Sequence, residues 1–176
     1  TGALYPQGNF EGKGMAYRLP AFLAPGLIVT VRWWLRRRRG EDVAYPVALD
    51  AALTLPFLSD TLGNVFGLFD NVKHFDSVMH VANWMLLMGG LTLHMIGMPF
   101  ARGASRLMLV WLGGGLGAVF IVLWEIMEYG VMESGVGGLN LTYADTLGDL
   151  FLSMAGGFIG AIWAVRRAGP AAGQAG

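Results

Sequence analysis

Cysteine is absent from this chain, which excludes disulfides, thiolate metal sites and cysteine nucleophiles together. Charge is also scarce. Only 14% of the 176 residues are Asp, Glu, Lys or Arg, against roughly a quarter in ordinary soluble domains. With 55% hydrophobic residues and a mean hydropathy of +0.52, the balance points to a membrane class. Acids and bases cancel to a formal net charge of zero, so no basic surface for nucleic acid is implied. No internal repeat occurs, and Gly113-Gly114-Gly115-x-Gly117 lies inside an apolar run with no strand before it, which excludes a dinucleotide loop.

What the chain does contain is long apolar runs. A helix needs about 20 mostly apolar residues to cross a bilayer. Five runs qualify, over residues 19–35, 46–69, 76–98, 107–131 and 146–165. The expected fold is therefore all-α, a polytopic bundle of five transmembrane helices over residues 19–167. Residues 1–18 form an extracytoplasmic tail and residues 168–176, rich in Gly and Ala, a disordered cytoplasmic one. The bilayer is the expected partner, with other membrane subunits as a further class. Gly113 with Gly117, and Gly156 with Gly160, have the four-residue spacing that lets helices approach closely in lipid.

Orientation follows from the basic residues, which accumulate in short cytoplasmic loops. Arg36 to Arg39 follow the first run, Arg102 and Arg106 separate the third from the fourth, and Arg166 and Arg167 follow the fifth. With five spans all three groups share one side, leaving Lys13, Arg18 and Lys73 on the other. The N-terminus is then outside and the C-terminus inside.

Ionisable side chains in lipid cost about 2.5 to 3.5 kcal/mol each near the bilayer centre, which makes them functional candidates. Once the orientation is set, Asp60, Asp76, His80, Glu125, Glu128, Asp145 and Asp149 all fall at the outer level, though they come from four separate runs. Asp76 and His80 are i, i+4, Glu125 and Glu128 i, i+3, and Asp145 and Asp149 i, i+4, so each pair shares a helix face. Carboxylates one turn apart repel unless a proton, a cation or a basic partner lies between them. Two partners are open: His80 itself, or a divalent metal held by His80, Glu125, Glu128 and Asp149, a set suited to Zn, Mn, Fe or Mg. Ser77 stands beside Asp76 and near His80, and His94 lies at the opposite end of its run. For an enzyme, Glu125 or Glu128 would serve as general base, with His80 and Asp149 holding a metal or orienting water. The alternative is an accessory subunit without chemistry of its own, whose polar cluster only locks the bundle.

Three motifs in order, Phe75-Asp76-x-x-x-His80, Trp124-Glu125-Ile126-Met127-Glu128-Tyr129 and Asp145-Thr146-x-x-Asp149, resemble those of the YjdF-like inner-membrane proteins. VanZ-like proteins are a more distant likeness. The resemblance covers about Phe75 to Ala164 and implies a multi-pass protein of a prokaryotic inner membrane, in a family without an assigned reaction. It carries over Asp76, His80, Glu125, Glu128, Asp145, Thr146 and Asp149. The chain departs from the pattern in a shorter, Gly-rich loop from Val131 to Tyr143, and in Gly148 where the family has a bulky aromatic.

Overall fold

A computed structural model of the protein describes residues 8–11, 15–135 and 141–169, with backbone alone at 15–17 and 21. Helix accounts for 83% of the described residues, and no strand occurs among them. Six α-helices follow in order: α1 Met15–Arg38, α2 Val47–Val65, α3 Leu68–Asn71, α4 Phe75–Ile96, α5 Arg106–Glu133 and α6 Tyr143–Arg167. Two of them, α5 and α6, are long and apolar enough to cross a membrane.

Two departures from the sequence reading bear on the site. Helix α1 begins at Met15, so Arg18 lies inside a helix and not in a tail. Most of the rest of that tail, the glycine-rich stretch 136–140 and residues 170–176 lie outside the described residues. The run 46–69 is not one helix. Phe66 and Gly67 close α2 by donating their amides to Leu62 and Asn64, and Gly67 takes a left-handed φ of 63° that a side chain disfavours. The short α3 then turns the chain back. His74 is also left-handed, at φ 64°, and starts α4 with Asp76 in its first turn.

The starts of α5 and α6 are capped by side chains. Ser105 Oγ accepts the Met108 amide at 3.1 Å at the start of α5, and Thr142 Oγ1 accepts the Asp145 amide at 3.2 Å at the start of α6. Each such cap contributes about 1 kcal/mol by satisfying an amide that has no helical carbonyl.

Packing runs along the whole helix length. Gly90 of α4 lies against Ala52 of α2, while Ser59 of α2 bonds Asn83 of α4, so these two helices are antiparallel. Gly156 and Gly160 of α6 press on the carbonyls of Val81 and Met85 of α4, in parallel register. Gly113 and Gly117 of α5 meet Ala161 and Gly157 of α6, antiparallel. The glycine pairs expected to pack therefore do so. Two adjacent glycines of α4, Gly89 and Gly90, were not singled out and are equally close to neighbours.

The interior is built from small and polar residues such as Gly157, Ala161, Ala164, Thr92 and Ser153, all buried. Large apolar side chains point outward instead, Leu107, Trp111, Phe151 and Trp163 among them. One end of the bundle gathers the starts of α1, α4 and α6 with the ends of α2 and α5. The arginine groups 36–39, 102 with 106, and 166–167 occupy the opposite end. There Arg36 pairs with Glu41 at 2.6 Å, Arg37 with Asp42 at 3.0 Å, and Arg38 stacks on Trp34.

Candidate functional site

Glycine packing decides which polar groups meet. Because Gly156 and Gly160 let α6 lie against the α4 backbone, the first turns of these parallel helices stand side by side. Asp76 and His80, one turn apart on α4, then face Asp149 and Ser153, one turn apart on α6. His80 Nε2 is 3.2 Å from Asp149 Oδ1 and 3.7 Å from Asp76 Oδ1. On the other side of the ring, Nδ1 is 2.9 Å from Ser153 Oγ. Asp149 and Ser153 are buried, His80 is partly so, and Asp76 opens to the surface.

One ligand atom from each of Asp76, His80 and Asp149 can be chosen so that all lie within 4.8 Å of one another. A metal bound at about 2.1 Å to oxygen and nitrogen in a tetrahedron separates its ligands by roughly 3.4 Å, and the 3.2 and 3.7 Å separations of His80 from the two carboxylates are close to that value. The donor set fits too, two carboxylates and an imidazole suiting Zn, Mn or Fe. Ser153 supplies the outer contact, since a hydroxyl at Nδ1 fixes the ring and directs Nε2 to the site. Without an ion, the same geometry places an imidazole N–H between two carboxylates. No known protein family matches the chain, nor does any curated protein or solved structure.

The expected metal set is corrected in two places. Asp76 joins His80 and Asp149, whereas Glu125 and Glu128 are not part of the trio. Glu128 is held instead by the Arg18 guanidinium, which also lies over the Trp124 ring at 5.8 Å. Glu125 is buried, and Thr146 of α6 is the hydroxyl facing it. Asp145 is exposed at the start of α6. On α2, Asp60 accepts from the Asn64 side chain, whose Nδ2 is 2.8 Å from its carbonyl and 3.4 Å from Oδ2. The hydroxyl that reaches His80 is that of Ser153, not of the neighbouring Ser77.

A cavity of about 850 Å3 runs beside the trio between α1, α2, α4 and α5. Asp60, Asp76, His80, Glu128, Asp145 and Asp149 line its polar end, and Phe57, Leu87, Leu91 and Phe120 its apolar part. Glu125 does not line it.

Arg18 is the functional neighbour that sequence reading missed. It closes a polar, glycine-rich stretch that reads as a tail, whereas α1 begins at Met15 and includes it. Replacing it tests the pair. Arg18→Ala leaves Glu128 as an uncompensated buried charge and is expected to lower stability by about 3 to 5 kcal/mol. The double replacement Arg18→Leu with Glu128→Leu is expected to recover most of that loss, measured by denaturant titration followed by circular dichroism.

Proposed function

We propose that this protein is a five-span membrane protein, N-terminus outside and C-terminus inside, that binds a divalent cation at Asp76, His80 and Asp149 near the outer face. The observation carrying the reading is the mutual approach of the three ligand atoms within 4.8 Å, next to a cavity through which a ligand can reach them. Three protein donors leave at least one position on the ion for water or a ligand group, as in metal sites that act on what they bind. A headgroup oxygen from the surrounding lipid is within the same chemistry. Membership of the YjdF-like family is proposed on the order of the three motifs.

Support for the membrane placement comes from three sides. Helices α1, α2 and α4 have 24, 19 and 22 residues, lengths compatible with a bilayer of about 30 Å. Apolar side chains cover the outside while glycine, serine and threonine pack inside, an arrangement that water disfavours and lipid accepts. The arginine groups share one end and the acids of the candidate site the other, consistent with basic residues held on the cytoplasmic side.

The absence of cysteine gives a direct test of orientation. An impermeant maleimide applied to intact cells is expected to label Tyr143→Cys and to leave Arg39→Cys unlabelled until lysis. The reverse pattern would overturn the orientation. For the ion, full-length protein stripped with chelator and dialysed against Mn(II) or Zn(II) is expected to retain one equivalent per chain. Retention of none would overturn the metal reading.

Two graded effects follow from the chemistry. Ser153→Ala frees the His80 ring and is expected to weaken metal affinity by about 10- to 100-fold, as losses of outer contacts do. Metal ligands bind in their deprotonated forms, so metal affinity is expected to fall as the pH is lowered, with proton release on loading. Calorimetry in two buffers of different ionisation enthalpy measures both.

A further inference from the structure

The arginine-bearing end of α1 carries a groove of about 630 Å3 that neither the metal site nor its cavity uses. Arg32, Arg36 and Arg39 follow one another at i, i+4 and i+7, so they share one face of the helix end and line the groove together. Leu27, Ile28, Val31 and Leu35 form its apolar wall, and all four are exposed. One carboxylate lines it as well, that of Glu41. Three arginines against one glutamate leave two positive charges in excess.

Partners within the chain answer only part of that charge. Arg36 Nε is 2.6 Å from Glu41 Oε2, which neutralises this pair. Arg37 pairs with Asp42 and Arg38 lies over the Trp34 ring, and neither of the two lines the groove. Among the described residues, the guanidinium groups of Arg32 and Arg39 have no hydrogen-bond or ion-pair partner, and both side chains are exposed. His94 of α4 interacts electrostatically with Arg32 and Arg36 and brings no negative charge. Position along the helix supplies the other half of the argument. Arg32 lies about 6 Å before Arg36 along the axis, and Leu27, Ile28 and Val31 precede it, so the charged and apolar parts of the groove follow one another along α1. Trp34 is exposed at their junction, as aromatic side chains are at the headgroup level of a bilayer. A polyanion such as nucleic acid would leave the apolar wall uncovered, and an uncharged lipid would leave Arg32 and Arg39 without a counter-charge.

We propose that this groove binds an anionic diacyl phospholipid. Arg32 and Arg39 hold the phosphate oxygens, and the acyl chains lie along Leu27, Ile28, Val31 and Leu35. The planar fork of a guanidinium matches a pair of phosphate oxygens, and basic pockets at the headgroup level are where anionic lipids are recognised. The proposal rests on the membrane reading, because the chains must come from lipid, but it needs neither the ion nor a particular orientation.

The test is native mass spectrometry of the full chain in mild detergent, with dioleoyl phosphatidylglycerol, phosphatidylethanolamine and phosphatidylcholine as probes. All three share their acyl chains and a phosphate, and only the first has a net negative charge. Phosphatidylglycerol is expected to bind at least about tenfold more tightly than the other two, the size that two basic side chains beside an anionic lipid supply. Glycerol 3-phosphate, a head without chains, is expected not to compete at equal concentration. Arg32→Gln and Arg39→Gln are each expected to reduce the preference about fivefold, whereas Arg37→Gln, the same charge change off the groove, is expected to leave it intact. Glu41→Gln releases Arg36 and is expected to raise phosphatidylglycerol affinity about threefold or more. Equal affinity for the three lipids, competition by glycerol 3-phosphate, a preference unchanged in both Arg32→Gln and Arg39→Gln, or one lost equally in Arg37→Gln would overturn the proposal. Release of the chain from membranes by alkaline carbonate would overturn the membrane reading and this one together, whereas retention with equal lipid affinities overturns this one alone. Mn(II) retention, read on the same samples, reports on the trio independently.

Discussion

His80→Ala is expected to abolish metal retention, from one equivalent per chain to background, a loss of at least about 100-fold in affinity. The size follows from geometry. His80 provides the only nitrogen of the trio and lies 3.2 and 3.7 Å from the two carboxylate oxygens. Without the ring, only the two carboxylates of the trio remain as donors. Asp149→Asn is expected to have the same direction, since a neutral amide oxygen is a weaker ligand and the charge on the site falls by one. Glu125→Gln is expected to leave metal binding unchanged, because Glu125 lies outside the trio and the cavity. Elemental analysis after chelation and reloading reads all three. Equal retention in wild type and His80→Ala would remove the imidazole from the site.

Gly160→Leu is expected to cost about 3 kcal/mol, the upper end for overpacking, and to lose the metal with it. A Cβ built on Gly160 meets the Met85 carbonyl and the Gly89 amide nitrogen, which are backbone atoms on a neighbouring helix and cannot turn aside. Helix α6 must then move away from α4. His80 and Asp149 sit on those two helices, so their 3.2 Å approach is lost with the packing although neither residue is changed. Gly115→Ala is the control. Nothing lies within 4 Å of its added Cβ, and alanine in mid-helix is favoured over glycine by up to about 1 kcal/mol. Thermal unfolding and metal retention, measured on both variants, separate a packing effect from a general intolerance of larger side chains. Full stability and metal content in Gly160→Leu would show that close approach of α4 and α6 does not build the site.

Much of the helical layout was readable because it depends on local properties. Apolar runs of helical length place five of the six helices, and the spacing of Gly113 with Gly117 and Gly156 with Gly160 marks two of the packing faces. Asp76 with His80 could be paired from their i, i+4 spacing alone. Three features could not. The break at Phe66 and Gly67 lies within an apolar run, where one glycine in the left-handed region outweighs the hydropathy of its neighbours. Arg18 closes a polar, glycine-rich stretch that reads as a tail until the packing of α1 on α2 brings it to Glu128. Ser153 is an ordinary helical serine in sequence, and only the parallel register of α4 and α6 brings its hydroxyl to His80.

By itself, then, the sequence determined the helical class, the two charged ends of the chain's hairpins and the set of acids and imidazole gathered at one level. These depend on composition and on 3.6-residue periodicity, which are properties of single segments. Tertiary structure alone decided that Asp76 and Asp149 share His80, that Glu128 belongs to Arg18, and that Glu125 lies outside the trio and the cavity lining. Rotation of each helix about its axis sets those choices, and that rotation is fixed by which glycines of α4, α5 and α6 meet, a relation between segments that no one of them carries.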